Sequence, residues 1–348
     1  MRAALMERGK IWVGTVEDPV PQRGEMLVRT RACGICGSDL HAARHTDAFV
    51  KTSRAAGGAF KLTSFEPVVL GHEFCAEVVD YGPDTTHELA PGTLVCSVPM
   101  LQRQGGLALG YSTEVPGGFA EYMVLSTALV LTVPAGTPAS SAALTEPMAV
   151  GLHAVNKANL NGSEAVLVIG CGPVGLAVIT ALRQRGAAPI YAADYSPRRR
   201  QLALAQGAHA VVDPAVESAW NNPELVRPEN VVVFECVGVP GMIDQVFLAA
   251  PRNARIVVVG VCLELDHSRP LIAINKELSV QYVLGYNLNE FAQALRCIAD
   301  GSFDVAQLVT GHVALAEVAS AFEALRDPEQ HAKILVEPWR QPSTLTVA

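Results

Sequence analysis

The chain has 348 residues, of which 50% are hydrophobic and 17% charged, with a formal net charge of −8. That length favours two domains or one large one, with a core that needs neither disulfides nor metal to stand. The mildly acidic, dispersed charge excludes nucleic acid and an anionic membrane surface as main partners and leaves a small molecule as the expected ligand.

The N-terminal stretch "MRAALMERGKIWVGTVEDPVP" lacks an apolar core followed by a small-residue cleavage site, so it is not read as a signal peptide and a cytoplasmic protein is expected. From Met1 to about Val150, short apolar runs are cut by Gly and Pro ("EMLVRT", "EFCAEVVDYG", "GTLVCSVP", "FAEYMVL"), which predicts strands joined by turns. Beyond Gly151 strand and helix alternate: "AVLVIG", "PVGLAVITALRQRG", "PIYAAD", "SPRRRQLALAQG". This texture predicts parallel strands with crossover helices. Ser196 is expected as N-cap of the helix after Asp194, with Pro197 at its first position and Gly207 just past its end. Further runs at "VVVFECVG", "RIVVVGV" and "LSVQYVLG" supply strands for a six-membered parallel sheet. Two helical stretches and a last strand, "KILVEP", follow. The apolar run from Ala165 to Leu182 is interrupted by three glycines and a proline, so it predicts strand, turn and helix, not a membrane span.

"VLVIGCGPVG" carries G-x-G-x-x-G as Gly170, Gly172 and Gly175, with Pro173 and Val174 between, after a strand and opening a helix. The first glycine makes the tight turn, the second lets backbone approach a pyrophosphate, and the third lets helix and strand close up. A second strand ends at Asp194, where a carboxylate can accept both hydroxyls of an adenosine ribose. This favours NAD, because a 2′-phosphate would meet its charge. Arg198, Arg199 and Arg200 keep NADP as the alternative.

"RACGICGSDLH", Arg31 to His41, admits a redox pair, half of a structural zinc site or one arm of a catalytic metal site. A structural site wants a second close pair of Cys or His, and Cys75, Cys96 and Cys171 each stand alone in the sequence. A thioredoxin-like pair belongs at a helix N-terminus in a βαβ unit, whereas this one lies in the β-type portion. What remains is one cysteine as ligand in an open site, with His72 in "VLGHEF" and Glu146 in "LTEPMAVGLHAV" as candidate partners.

"GICGSDLH", "GHE", "GGFAEY", "EPMAVGLHA" and "GCGPVG", in this order across nearly the whole chain, resemble the zinc-dependent medium-chain dehydrogenase/reductase superfamily, which includes the alcohol, sorbitol and threonine dehydrogenases. The resemblance implies an α/β protein: a Rossmann doubly wound sheet, 151–286, inserted into a GroES-like β-barrel catalytic domain, 1–150, completed by 287–348. It implies an NAD-dependent oxidation of a secondary alcohol or polyol, or the reverse, in a cleft between the domains. Cys36, His72 and Glu146 become the zinc ligands, as in the polyol branch, and Cys33 a core residue. Glu73 matches a carboxylate close to the metal, and Asp39 the group that orients the ligand histidine.

By themselves Ser38 reads as a turn serine and His41 as a surface histidine. The resemblance makes Ser38 the hydroxyl that contacts the substrate alcohol and His41 the outer end of a proton relay. It places Arg199 near the adenosine ribose, Val237 along the cofactor groove, and Val259, Val261 and Leu284 near the nicotinamide, though these four apolar residues also read as core strand positions. It brings Lys333 to the pyrophosphate, and it implies a homodimer or homotetramer joined through the nucleotide domain.

Two features depart from the pattern. No cysteine lies between Cys96 and Glu146, so one catalytic zinc and no structural zinc is expected. The segment 42–69 is longer than the family pattern and is read as a loop beside the substrate, a lid or a passive excursion. Specificity is expected to rest on it and on residues such as Phe119 and Tyr286. The rival readings are a zinc-free NADPH-dependent enone or quinone reductase of the same superfamily, and a non-catalytic dinucleotide sensor.

Overall fold

The computed structural model describes residues 1–227 and 230–342. The chain divides into two units, Met1–Glu146 with Val309–Ala348, and Pro147–Leu308. The second crossing therefore falls later than residue 287. The helix Leu288–Ala299 belongs to the second unit because it buries Phe291, Ala294 and Leu295 there. Its Glu290 also accepts from Asn156 at 2.6 Å and sits 2.8 Å from His153 Nδ1, both in that unit.

The first unit is built on a seven-stranded sheet. Its spatial order is Val130–Thr132, Leu94–Ser97, Glu73–Tyr81, Glu25–Gly34, Lys333–Val336, Val309–Val313, with Tyr122–Ser126 also on Glu25–Gly34. A second sheet orders Lys10–Thr15, Arg2–Glu7, Val68–Val69. The long strand Glu25–Gly34 pairs antiparallel with Glu73–Tyr81, two register shifts bending it on the way. Its last residue, Gly34, lies opposite Glu73. That pairing delivers the Cys36 turn and the His72–Glu73 strand entry to one place, although 36 positions separate Cys36 from His72 in the chain.

The segment 42–69 is not an irregular loop. Thr46–Ala55 is a helix whose apolar residues Phe49 and Val50, adjacent on one side, are buried. Phe119, expected at the substrate, is 1% exposed and meets Phe322 edge to face at 6.1 Å in the core of the unit.

In the second unit six parallel strands, Ala165–Ile169, Ile190–Ala193, Ala210–Val212, Val231–Glu235, Arg255–Val258 and Ser279–Tyr282, lie in the spatial order third, second, first, fourth, fifth, sixth. This is the doubly wound order, with its switch point between the first and fourth strands. Apolar residues of the central strands, Leu167, Val233 and Ile256 among them, form the core with Phe247 of the helix Met242–Ala249. The helix Pro197–Gln206 begins and ends as its end signals dictate: Ser196 Oγ accepts from Arg199 N at 3.0 Å, and Gly207 closes it at φ +119°. Among the described residues no helix is long and apolar enough to cross a membrane.

Candidate functional site

Cys36, His72 and Glu73 offer ligand atoms that all lie within 4.8 Å of one another, and among the described residues they are the one group of this kind. Cys36 is the N-cap of the helix Gly37–Arg44, and its amide donates to Asp39 Oδ2 at 2.9 Å, so the start of that helix fixes the thiol-bearing residue. Asp39 is fully buried, and its other oxygen lies 3.4 Å from His72 Nδ1. One carboxylate thus holds the backbone of Cys36 and faces the ring of His72, leaving Nε2 of that ring for the site. The His72 Nδ1 is buried and has no well-directed hydrogen bond. Burial would depress the His72 pKa, yet the nearby Asp39 carboxylate, and then Cys36, outweigh it and hold the pKa well above the usual value. A pocket that favours a cation on a buried imidazole beside a thiol and a carboxylate fits a divalent metal with mixed S, N and O donors.

Glu73 is fully buried, and both of its oxygens accept from Lys333 Nζ, at 2.8 and 2.7 Å. A side chain on Gly34 would run into Glu73 Oε2, so the strand end leaves room for the carboxylate. Lys333 also donates to Ile35 O at 3.0 Å and is 2% exposed. This corrects the assignment of Lys333 to a pyrophosphate: it lies inside the first unit, spent on Glu73. Glu146 stands outside the three-residue group, half-buried in the first turn of the helix Thr145–Lys157. Its charge acts on the Tyr111 phenol.

Tyr111 was not singled out from the sequence, because a tyrosine between glycine and serine in a turn-rich stretch has no pattern to mark it. Its hydroxyl donates to Ser38 Oγ at 2.7 Å and lies 3.4 Å from Asp39 Oδ1. Burial, and then the charges of Asp39 and Cys36, push its pKa well above the usual value. His41 is half-buried on the same helix as Ser38, and its pKa is lowered by burial, then by His45 and Arg44. Cys33 is fully buried, and burial drives its thiol pKa well up. Cys96, alone in the sequence, lies against Cys75 in the interior.

The second unit carries the glycine-rich turn. Gly170 adopts φ +91°, which only glycine takes at little cost, and a side chain on Gly175 would run into Gly170 O. Gly172 has open space where its side chain would be, at the N-terminus of the helix Pro173–Gln184. Those three environments fit a tight turn, a phosphate approach and a helix–strand contact. Asp194 Oδ2 accepts from Cys171 N at 2.7 Å and Oδ1 from Ser196 N at 2.8 Å, so the acidic residue ties the glycine turn to the second strand with lone pairs to spare. Burial and that carboxylate push the Cys171 thiol up to about 12. Arg199 Nε is buried without a hydrogen-bond partner, an unsatisfied donor that a ribose or phosphate oxygen would satisfy. Arg200 is engaged with Asp194 O, Tyr195 O and Asp213.

Val237, Val261 and Leu284 follow the ends of the fourth, fifth and sixth strands and are exposed, Leu284 at 88%, which corrects their reading as core positions. Val259 is buried. Tyr286 stacks on Phe291 at 5.3 Å in this unit. The buried Glu235 holds the turn after its strand, accepting from Val237 N at 2.6 Å and Gly238 N at 2.9 Å.

The family model described as alcohol dehydrogenase GroES-like domain matches residues 22–135, and the one described as zinc-binding dehydrogenase matches 173–300. The chain is 32% identical to (R,R)-butanediol dehydrogenase of Bacillus subtilis, over 97% of this chain and 100% of that protein. It is 26% identical to sorbitol dehydrogenase of Bacillus subtilis, over 98% of each chain. The crystal structure of 2R,3R-butanediol dehydrogenase from Bacillus subtilis superposes with a TM-score of 0.83 at 30% identity, covering 97% of this chain and 99% of that one.

Proposed function

The chain belongs to the zinc-dependent medium-chain dehydrogenase superfamily, in its polyol branch, and from that premise we propose that it interconverts a secondary alcohol or polyol and its carbonyl with NAD and one zinc ion per chain. The observation that carries this reading is the convergence of Cys36 and His72 beside a buried carboxylate, backed by Asp39. A zinc-free reductase has no use for such a donor set.

Cys36 and His72 would hold the metal, with Glu146 as the third ligand that the family resemblance assigns; Glu73 lies beside the two, and both of its oxygens are already taken by the Lys333 ammonium. Lewis-acid polarisation of the substrate's hydroxyl oxygen is the chemistry a zinc ion supplies in such a site. Ser38 would accept the proton of the substrate hydroxyl on its free lone pair and pass its own proton outward toward His41. His41 is the outer acceptor, and its lowered pKa keeps the imidazole neutral and able to take that proton at neutral pH. The hydride acceptor is the nicotinamide ring of the dinucleotide.

In the second unit Gly172 admits the pyrophosphate to the helix N-terminus, while Asp194 binds the ribose hydroxyls and disfavours a 2′-phosphate. The commitment of Arg200 to Asp213 and two carbonyls supports the preference for NAD. Val237, Val261 and Leu284, each exposed after the end of its strand, would offer apolar contacts to the nicotinamide. The protein acts in the cytoplasm as a homodimer or homotetramer.

The test is a panel of secondary alcohols and polyols read by NADH absorbance, with metal analysis of the same preparation. Ser38→Ala should lower kcat on the order of 10²–10⁴-fold at unchanged zinc content. A preparation without zinc, or an unchanged rate in Ser38→Ala, removes the mechanism.

A further inference from the structure

The Ser38 hydroxyl has a partner that nothing in the glycine-rich or cysteine motifs announces. Tyr111 donates to it at 2.7 Å, within the range of a strong O–H···O bond, while the 3.4 Å to Asp39 Oδ1 is weak. A hydroxyl has one proton and two acceptor sites. With one acceptor site filled by Tyr111, Ser38 keeps its own proton and one lone pair for another oxygen, and its rotation is restricted.

Tyr111 is itself held on three sides. Its ring lies 4.5 Å from Phe60, 5.6 Å from Phe49 and 5.0 Å from His72, centroid to centroid, and Phe49 and Phe60 stack on each other at 5.0 Å. Its backbone is pinned as well, since Lys61 N donates to Tyr111 O at 2.8 Å. Phe49, Phe60 and Lys61 all come from the long segment 42–69, so the extra residues form a clamp on the tyrosine. The tyrosine in turn touches the proposed metal ligand His72 and the proposed proton-relay hydroxyl.

We propose that Tyr111 is a positioning residue for Ser38, its hydroxyl filling one acceptor site so that the remaining lone pair of the serine faces the substrate hydroxyl, and that the function of the inserted segment is to hold Tyr111 there. The proposal rests on the assignment of Ser38 to proton transfer, and the experiment separates the two. Tyr111→Phe keeps the ring stack and removes the bond. In the otherwise wild-type enzyme kcat should fall about tenfold, the kinetic equivalent of one hydrogen bond, with KM for the alcohol, zinc content and NAD affinity unchanged.

In the Ser38→Ala background the same change should have no further effect on kcat. Phe60→Leu, which loosens the clamp but keeps the hydroxyl, should lower kcat by a smaller factor that also vanishes in Ser38→Ala. Equal losses from Tyr111→Phe in both backgrounds overturn the positioning role while leaving Ser38 in the mechanism. A loss of bound zinc in Tyr111→Phe also overturns it, because the tyrosine would then serve the His72 ring instead. No loss from Ser38→Ala alone removes the relay and the positioning role together.

Discussion

Lys333 and Glu73, 260 positions apart in the chain, meet in the interior of the first unit with both carboxylate oxygens on one ammonium. Burial acts to depress the lysine pKa, but the charge of Glu73, then Cys36, overcomes it and holds the ammonium form inside the protein. Breaking such a pair from one side leaves an uncompensated buried charge. Lys333→Met should lower unfolding free energy by about 3–5 kcal/mol, measured from denaturant midpoints at unchanged m-value. The same change in a Glu73→Gln background should cost markedly less, and equal costs in both would show that the pair is not coupled.

Asp194 ties Cys171 N and Ser196 N in the structure, and the proposed ribose contact would set its carboxylate against a 2′-phosphate. Asp194→Ser should therefore shift the ratio of kcat/KM values toward NADP by tenfold or more. It should also cost on the order of 1–3 kcal/mol of stability through the amides left unpaired. An unchanged cofactor ratio would place the ribose elsewhere.

The doubly wound unit was legible because its signals are local: apolar runs, three glycines with distinct tasks, a serine cap and a terminal glycine. Only the strand Ala210–Val212 gave no signal, being three residues with no run to stand out. The metal group was legible in part. Cys36 and His72 announce themselves by type, but whether Glu73 or Glu146 completes the group depends on where Lys333 goes, and that is set by a strand pairing with no local trace. The helix Thr46–Ala55 escaped because alanine, threonine and serine around one Phe–Val step look like a loop until Phe60 and Tyr111 give the phenylalanine something to bury against.

One zinc per chain is expected from elemental analysis of the purified protein. Cys36→Ser should reduce zinc content and abolish turnover, because a neutral hydroxyl replaces a thiolate ligand. Cys33→Ser, which exchanges a fully buried thiol for a smaller, more polar hydroxyl, should cost stability and leave zinc in place. Zinc retained in Cys36→Ser but lost in Cys33→Ser would exchange the two roles.

The strand Ser279–Tyr282 is an open edge of the parallel sheet, and near it in the chain Leu271, Ile274 and Tyr282 are each at least 65% exposed. An unpaired edge carrying large apolar side chains is a natural joint between two copies. Ile274→Asp combined with Tyr282→Lys should reduce the mass measured by light scattering to that of one chain. An oligomer unaffected by the pair of changes would have its interface elsewhere.

If His41 is the outer proton acceptor proposed above, it sets the acid side of the pH profile. Burial, then the charges of His45 and Arg44, place its pKa below the ordinary value of about 6.5, so the neutral proton acceptor persists to lower pH than a free histidine would allow. Alcohol oxidation should accordingly hold its rate through pH 6.5 and fall only below it. Arg44→Gln removes one of the charges and should move the acid limb upward, toward 6.5. For stability the sign is fixed by the same depression: between the folded and unfolded pKa values the unfolded chain binds more protons, so this contribution is complete above about 6.5 and is lost as the pH falls through the folded value. His41→Gln should abolish both the limb and that slope, and a limb that survives in His41→Gln would assign the proton acceptor to another group.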